Sequence, residues 1–216
     1  MKKIIFALLA LAMPLLATAQ NYNTSLRQAT GKHGFYPLQD DAEYLQNKVP
    51  MVDGKVVFQQ TVSVPGKTKD QIFAAAANWA NLRFTANSGR GSWERPGFYS
   101  NSEYAKLKSA DKASGTIECQ GSEEMVFRSA FAVKDYCQAN YILDIKVNDG
   151  SLTVTMRNII YIYLGADSER MAAEEYIVDK ECFNKKGLLC KPYAKFRVKT
   201  IDLQYELFKE LAEAVK

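Results

Sequence analysis

Side chains able to grip a ligand gather most densely in residues 86–102, ANSGRGSWERPGFYSNS, where Arg90 and Arg95 interleave with Trp93, Phe98 and Tyr99. A guanidinium pairs with anions and a flat ring takes the face of a base or sugar, so this pattern marks a candidate ligand contact. The plainer reading is a loop whose aromatics fold back onto the domain. Gly89-Arg90-Gly91 is no phosphate loop, since neither a Lys-Ser/Thr pair nor a helix follows it. Catalytic chemistry has less support. The one histidine, His33, lies beside Gly34 in a polar stretch, and neither G-x-S-x-G nor H-E-x-x-H occurs. A Ser-His-Asp triad would have to recruit His33 from outside the folded domain. Glu123-Glu124 and Glu174-Glu175 are adjacent carboxylates, which point different ways and read as solvated charges. Acid–base work needs separated groups in one cleft with shifted pKa values. No catalytic residue and no cofactor is assigned.

Four cysteines remain: Cys119, Cys137, Cys182 and Cys190. No C-x-x-C spacing and a single histidine leave little for zinc, so no metal site is expected. In an oxidising compartment an even count favours disulfides, with three possible connectivities. The expected pairing is 119–137, between two strands, and 182–190, closing a short loop through Gly187.

The compartment is read from the opening MKKIIFALLALAMPLLATAQ. Lys2 and Lys3, an apolar run over residues 4–16 and the A-x-A step Ala17-Thr18-Ala19 are the three parts of a secretory signal peptide. The run falls short of the roughly 20 residues of a spanning helix. The expectation is an exported chain, periplasmic or secreted, with no transmembrane segment after cleavage. Two of the 28 Lys and Arg residues leave with the signal, so 26 face 24 Asp and Glu. A balance that near neutrality argues against a nucleic-acid partner.

The elements that would hold these residues follow in order. Residues 20–51, with Gly31, Gly34, Pro37 and Pro50, read as an N-terminal arm with a short helical turn near 41–46. Along 55–64, Val56, Phe58, Val62 and Val64 share one face of a half-buried strand. Pro65-Gly66 ends it, and Thr68 with Gln71 forms a capping box for a helix to Phe84. Its apolar arc holds Ile72, Phe73, Ala75, Ala76, Trp79, Ala80, Leu82 and Phe84. Strands are expected over 104–109, 115–121, 136–147 and 152–163, with 125–133 ambiguous. Asn148-Asp149-Gly150 makes a tight hairpin between the last pair. Residues 168–176 read as a helix and 194–198 as a short strand. A final helix over 201–215 is capped by Thr200.

That order predicts an α+β fold, an antiparallel β-sheet with two helices packed on one face. At Val49-Pro50-Met51-Val52-Asp53-Gly54-Lys55-Val56-Val57-Phe58 and Val64-Pro65-Gly66-Lys67-Thr68-Lys69-Asp70-Gln71-Ile72 the chain resembles domain-of-unknown-function family 4468. The resemblance implies exported bacterial proteins with a TBP-like fold, β-α-β-β-β-β-α, and no established activity. Residues 1–19 are then the signal peptide, 20–51 the arm and 52–216 one domain with an insertion at about 164–199. The TBP-like shape implies no DNA binding, because function belongs to sites and not to folds. The expected function is a non-enzymatic binding or interaction module of the cell envelope. Its partner would be an envelope protein, a glycan or a small apolar ligand. The alternative is a hydrolase-type enzyme with a dispersed active site.

Overall fold

The computed structural model describes residues 44–84, 98–100, 104–130, 133–163, 170–187, 189 and 193–216. The alternating segment at 55–64 buries Val56, Phe58, Val62 and Val64, as expected. It forms two strands rather than one. β1 (Met51–Val52) and β2 (Lys55–Val56) make a small hairpin, while β3 (Phe58–Ser63) joins the main sheet. The hairpin turns at Asp53 and Gly54, whose φ values of 49° and 75° place both in the left-handed region favoured by such two-residue turns.

α1 (Lys69–Phe84) starts at the expected capping box. The Thr68 N–H donates to Gln71 Oε1 at 2.9 Å, and the Gln71 N–H donates to Thr68 Oγ1 at 3.3 Å. Its buried face runs through Ile72, Phe73, Ala76, Ala80 and Phe84. Leu82 departs from expectation and is 43% exposed, while Arg83 turns inward. Leu82 stands about 200° around the helix from Ala80, on the far side of that face.

β4 (Phe98–Ser100) and β5 (Lys106–Asp111) share one side of β6 (Thr116–Ala130). β7 (Val133–Asn148), β8 (Ser151–Ile162) and then β3 follow across the sheet, and β9 (Arg170–Ala172) pairs with the far end of β8. All neighbours are antiparallel. The expected strand at 115–121 and the ambiguous 125–133 are largely one long strand, with a register shift between Val126 and Arg128. β8 carries a second irregularity. Asn158, at φ 52°, and Ile159 together oppose Tyr141 of β7. The Asp149-Gly150 turn joins β7 to β8 with Gly150 at φ 68°, and Asp149 Oδ1 accepts the Lys69 N–H at 2.8 Å.

Short helices α2 (Ala173–Tyr176) and α3 (Asp179–Cys182) follow β9, so 168–176 is partly strand. Residues 194–198 are not a strand. They begin α4 (Ala194–Val215), whose inward side takes Ala194, Arg197 and Val198 at helical spacing before Leu203, Leu207, Leu211 and Val215. Thr200 is therefore inside the helix, its hydroxyl donating to the Phe196 carbonyl at 2.7 Å. α1 and α4 cover one face of the sheet, over Ile117, Leu143, Ile145, Leu152, Val154 and Met156.

Candidate functional site

The sheet face away from α1 and α4 is built from the other phase of the same strands. Toward the β3 edge its residues are short and polar, Gln59, Thr61 and Ser63 on β3, Thr153 and Thr155 on β8 and Gln120 on β6, while Ile142, Ile160 and Ile162 take the same phase farther along β7 and β8. Those on β3 and β8 pair directly across the ladder. Gln59 Nε2 donates to Thr155 Oγ1 at 3.0 Å, and the Thr61 and Thr153 hydroxyls are 3.1 Å apart. Such cross-strand pairs each contribute up to about 1 kcal/mol and fix the register. A row of charges crosses the middle. Lys108 meets Glu118 at 2.6 Å, and Arg157 lies 3.9 Å from Glu118 and 2.5 Å from Asp144. The hydrogen bond from Lys108 holds the Glu118 carboxyl below its ordinary value, and the bond to Asp144 raises Arg157. Two cations and two anions alternate, so the row has no net charge. Farther along, Gln138 Nε2 donates to Ser122 Oγ at 2.8 Å, and the Ser122 hydroxyl donates to Asn140 Oδ1 at 2.5 Å. Ser122 and Gln138 are buried.

Under the helices lies a buried ionic cluster. Arg83, from the last turn of α1, puts Nη2 2.5 Å from Glu123 Oε1 on β6, and Tyr141 on β7 donates its hydroxyl to the same oxygen at 3.1 Å. The Arg83 Nε has no hydrogen-bond partner and faces Glu210 of α4 at 3.6 Å. Burial opposes the Arg83 charge, but Glu123, Tyr141 and Glu210 outweigh it and raise its pKa. The Tyr141 ring fills the place of a side chain at Gly121, its direct cross-strand partner, where a Cβ would stand 2.0 Å from the ring. Glu123 is thus no solvated charge, contrary to expectation: strand alternation turns it into the core and leaves Glu124 on the other face. Glu174 likewise accepts the Val56 N–H at 2.9 Å.

Two more cations are held at the insertion. Lys195 Nζ reaches Asp135 at 2.8 Å and the Tyr163 hydroxyl at 2.5 Å, over the Phe127 ring at 4.5 Å. Arg197, fully buried, donates to the carbonyls of Tyr44, Leu45 and Ile177 at 2.9, 2.5 and 2.6 Å. Its Nη1 lies 2.9 Å from Asp179 Oδ1, while Asp179 Oδ2 accepts the Asn47 N–H at 2.7 Å. The end of the expected arm is clasped into the domain by this arginine.

Of the candidate ligand contacts, Arg90, Trp93 and Arg95 lie outside the described residues. Phe98 and Tyr99 are not in a loop: their backbones form β4, opposite Met125 and Glu124. The 119–137 disulfide is ruled out by register. Cys119 lies opposite Leu143 and Cys137 opposite Met125, six rungs apart. At about 3.4 Å per rung that is on the order of 20 Å, far beyond the reach of a disulfide. Both are free, buried thiols pushed up to about 12 by desolvation. The Cys182 thiol donates to the Tyr176 carbonyl at 3.2 Å, and Cys190, with the expected 182–190 pairing, lies outside the described residues. Among the described residues no group of three or more His, Cys, Asp or Glu could hold a metal ion, and no helix is long and apolar enough to cross a membrane.

Sequence reasoning missed Arg83, Tyr141 and Arg197 as buried polar groups. Arg83 carried a signal, falling three residues after Ala80 on the packed arc of α1.

The seven-stranded antiparallel sheet with helices on one face is the α+β architecture of TBP-like proteins. The family profile described as "Domain of unknown function (DUF4468) with TBP-like fold" matches residues 58–162. A crystal structure of a DUF4468 family protein from Bacteroides ovatus ATCC 8483 is 31% identical, covering 82% of this chain and 95% of that one with a TM-score of 0.70. The chain belongs to this family. A TBP-like protein from Parabacteroides distasonis ATCC 8503, 22% identical over 77% of this chain and 96% of that one at a TM-score of 0.61, shares the fold. A search of curated proteins finds no match.

Proposed function

We propose that the chain is an exported cell-envelope protein whose domain is a non-enzymatic binding module, and that the polar sheet face is its contact surface. The observation that carries this is the face itself. It is a rigid hydrogen-bonded lattice of Thr, Gln and Ser crossed by a charge-neutral ionic row. Such a surface offers many donors and acceptors and balanced ion pairs, which suits a polar partner surface, an envelope protein or a glycan. The Thr and Gln lattice beside β3 is a poor floor for an apolar ligand, because seating one there would bury these polar groups without replacing their water. It also gives nothing to a polyanion, whose binding rests on clustered cations. The carboxylates argue against acid–base chemistry. Glu118 is held below its ordinary pKa, where a general acid would need the opposite shift, and Glu123 is paired with Arg83 in the core, away from any solvent cleft.

Site-specific photo-crosslinking in the intact envelope tests the surface. A probe at Gln120 or Thr153 is expected to yield a protein adduct, or retention on a glycan array that the probe blocks. A probe at Glu213, exposed on α4, should yield neither. Adducts from Glu213 alone, or none with no glycan retained, would overturn the reading. Export is tested by fractionation and by an N-terminus at Gln20.

A further inference from the structure

We propose that the outer edge of β3 is a pairing edge, and that it takes the β3 of a second copy of this chain across a twofold axis at Thr61. The Val64 N–H donates to the Gly150 carbonyl at 2.8 Å, so the even-numbered residues of β3 turn their backbone groups toward β8. By the alternation of an antiparallel ladder, Gln59, Thr61 and Ser63 turn theirs outward. The Val57 N–H, in the same phase, is met by the Pro50 carbonyl at 3.2 Å. Among the described residues no backbone group meets the next three, and all three are exposed.

The two edges of the sheet are protected unequally. An open edge is normally blunted by charge, proline or a bulge. β5, on the far side, has all its protection in place: Lys106, Lys108 and Asp111, with a register break between Leu107 and Ser109. β3 has none. Its six residues, FQQTVS, are uncharged, lack proline and pair with β8 without interruption. Met51 and Val52, beside its start, are about half exposed, at 46% and 54%.

The occupant follows from the residue pattern. With Thr61 opposite its own copy, Gln59 falls opposite Ser63, so polar side chains meet polar ones on the open face. Every outward backbone group of the three residues is then used in both copies. The same register sets the Met51–Val52 hairpin of each copy against the Pro65-Gly66 end of its partner. A twofold axis normal to the sheet keeps both sets of helices on one side and makes the polar face continuous.

Sedimentation equilibrium of the chain isolated from the cells that make it tests this. The expected mass is twice that of one chain. Thr61→Pro removes an outward N–H, which an edge strand tolerates, along with the exposed hydroxyl contact to Thr153, and Thr61→Lys sets two like charges opposite each other. Each is expected to halve the mass with the circular dichroism spectrum unchanged. A single-chain mass for the unaltered protein at every concentration, or a double mass that survives both substitutions, would overturn the proposal. It does not rest on the partner-binding reading, which the crosslinking experiment decides separately.

Discussion

Replacing Glu123 by alanine strips the buried cluster of its main anion. Arg83, only 4% exposed, would keep Glu210 at 3.6 Å, and Tyr141 would lose the Glu123 oxygen it donates to. Breaking a buried pair from one side costs about 3–5 kcal/mol, because the other charge stays desolvated. Glu210 lies at the rim and is 27% exposed, so solvent screens what it returns, and the expected loss is about 3 kcal/mol. For a domain of this size that is a fall in Tm of about 6–12 °C. Arg83→Met strands Glu123 in the same way. The double change Arg83→Met with Glu123→Ala removes both charges together, so its loss is expected to fall well below the sum of the two single losses. Urea denaturation of the four proteins, compared at constant m-value, closes the cycle. Additive losses in the double variant, or a loss under about 1 kcal/mol for Glu123→Ala, would refute a coupled buried pair.

Gly121→Ala should cost about 1–3 kcal/mol by driving its methyl into the Tyr141 ring, and Gly121→Ala with Tyr141→Leu should recover part of the Tm. Cys119 and Cys137 should resist iodoacetamide in the native state even at pH 9 and alkylate once unfolded, since burial holds both thiols near 12; intact mass reads the outcome. Their raised pKa values also give a sign for alkaline stability: it is complete below the unfolded value of 9.0 and lost as pH climbs toward 12, visible as a falling Tm that a Cys119→Ala variant softens. Arg197→Met should free residues 44–47 from the domain, so that trypsin cuts after Lys48 much sooner while α1 stays protected from hydrogen exchange.

What the sequence disclosed was local. The capping box at Thr68 and Gln71, the Asp149-Gly150 turn and the alternation at Val56, Phe58, Val62 and Val64 are each set within a few residues, and each forms as read. The start of α4 failed because Ala194, Phe196 and Val198 alternate like a strand, while the helical continuation through Arg197 to Ile201 was masked by a charged residue. Arg83, Glu123 and Tyr141 meet from three distant elements, so neither their burial nor their partnership has a local signature. The cysteine pairing failed for a similar reason. Two cysteines in neighbouring strands bridge only if the register sets them opposite, and register is a property of the assembled sheet.

The extra residue in β8 has a bearing on how this strand can change. Leu152, Val154 and Met156 point into the core below Asn158, and Ile159 and Tyr161 do so above it. Take Asn158 out and the inward and outward sequence reads on without a break. Deleting Thr153 or Thr155 instead would turn over the residues beyond it until another irregularity restored the phase. Asn158 therefore contributes bend and twist and no pattern. At this bulge the chain can be shortened by one residue and every remaining side chain keep its side. A variant lacking it would present the same polar face on a flatter sheet, separating what a partner reads in chemistry from what it reads in curvature.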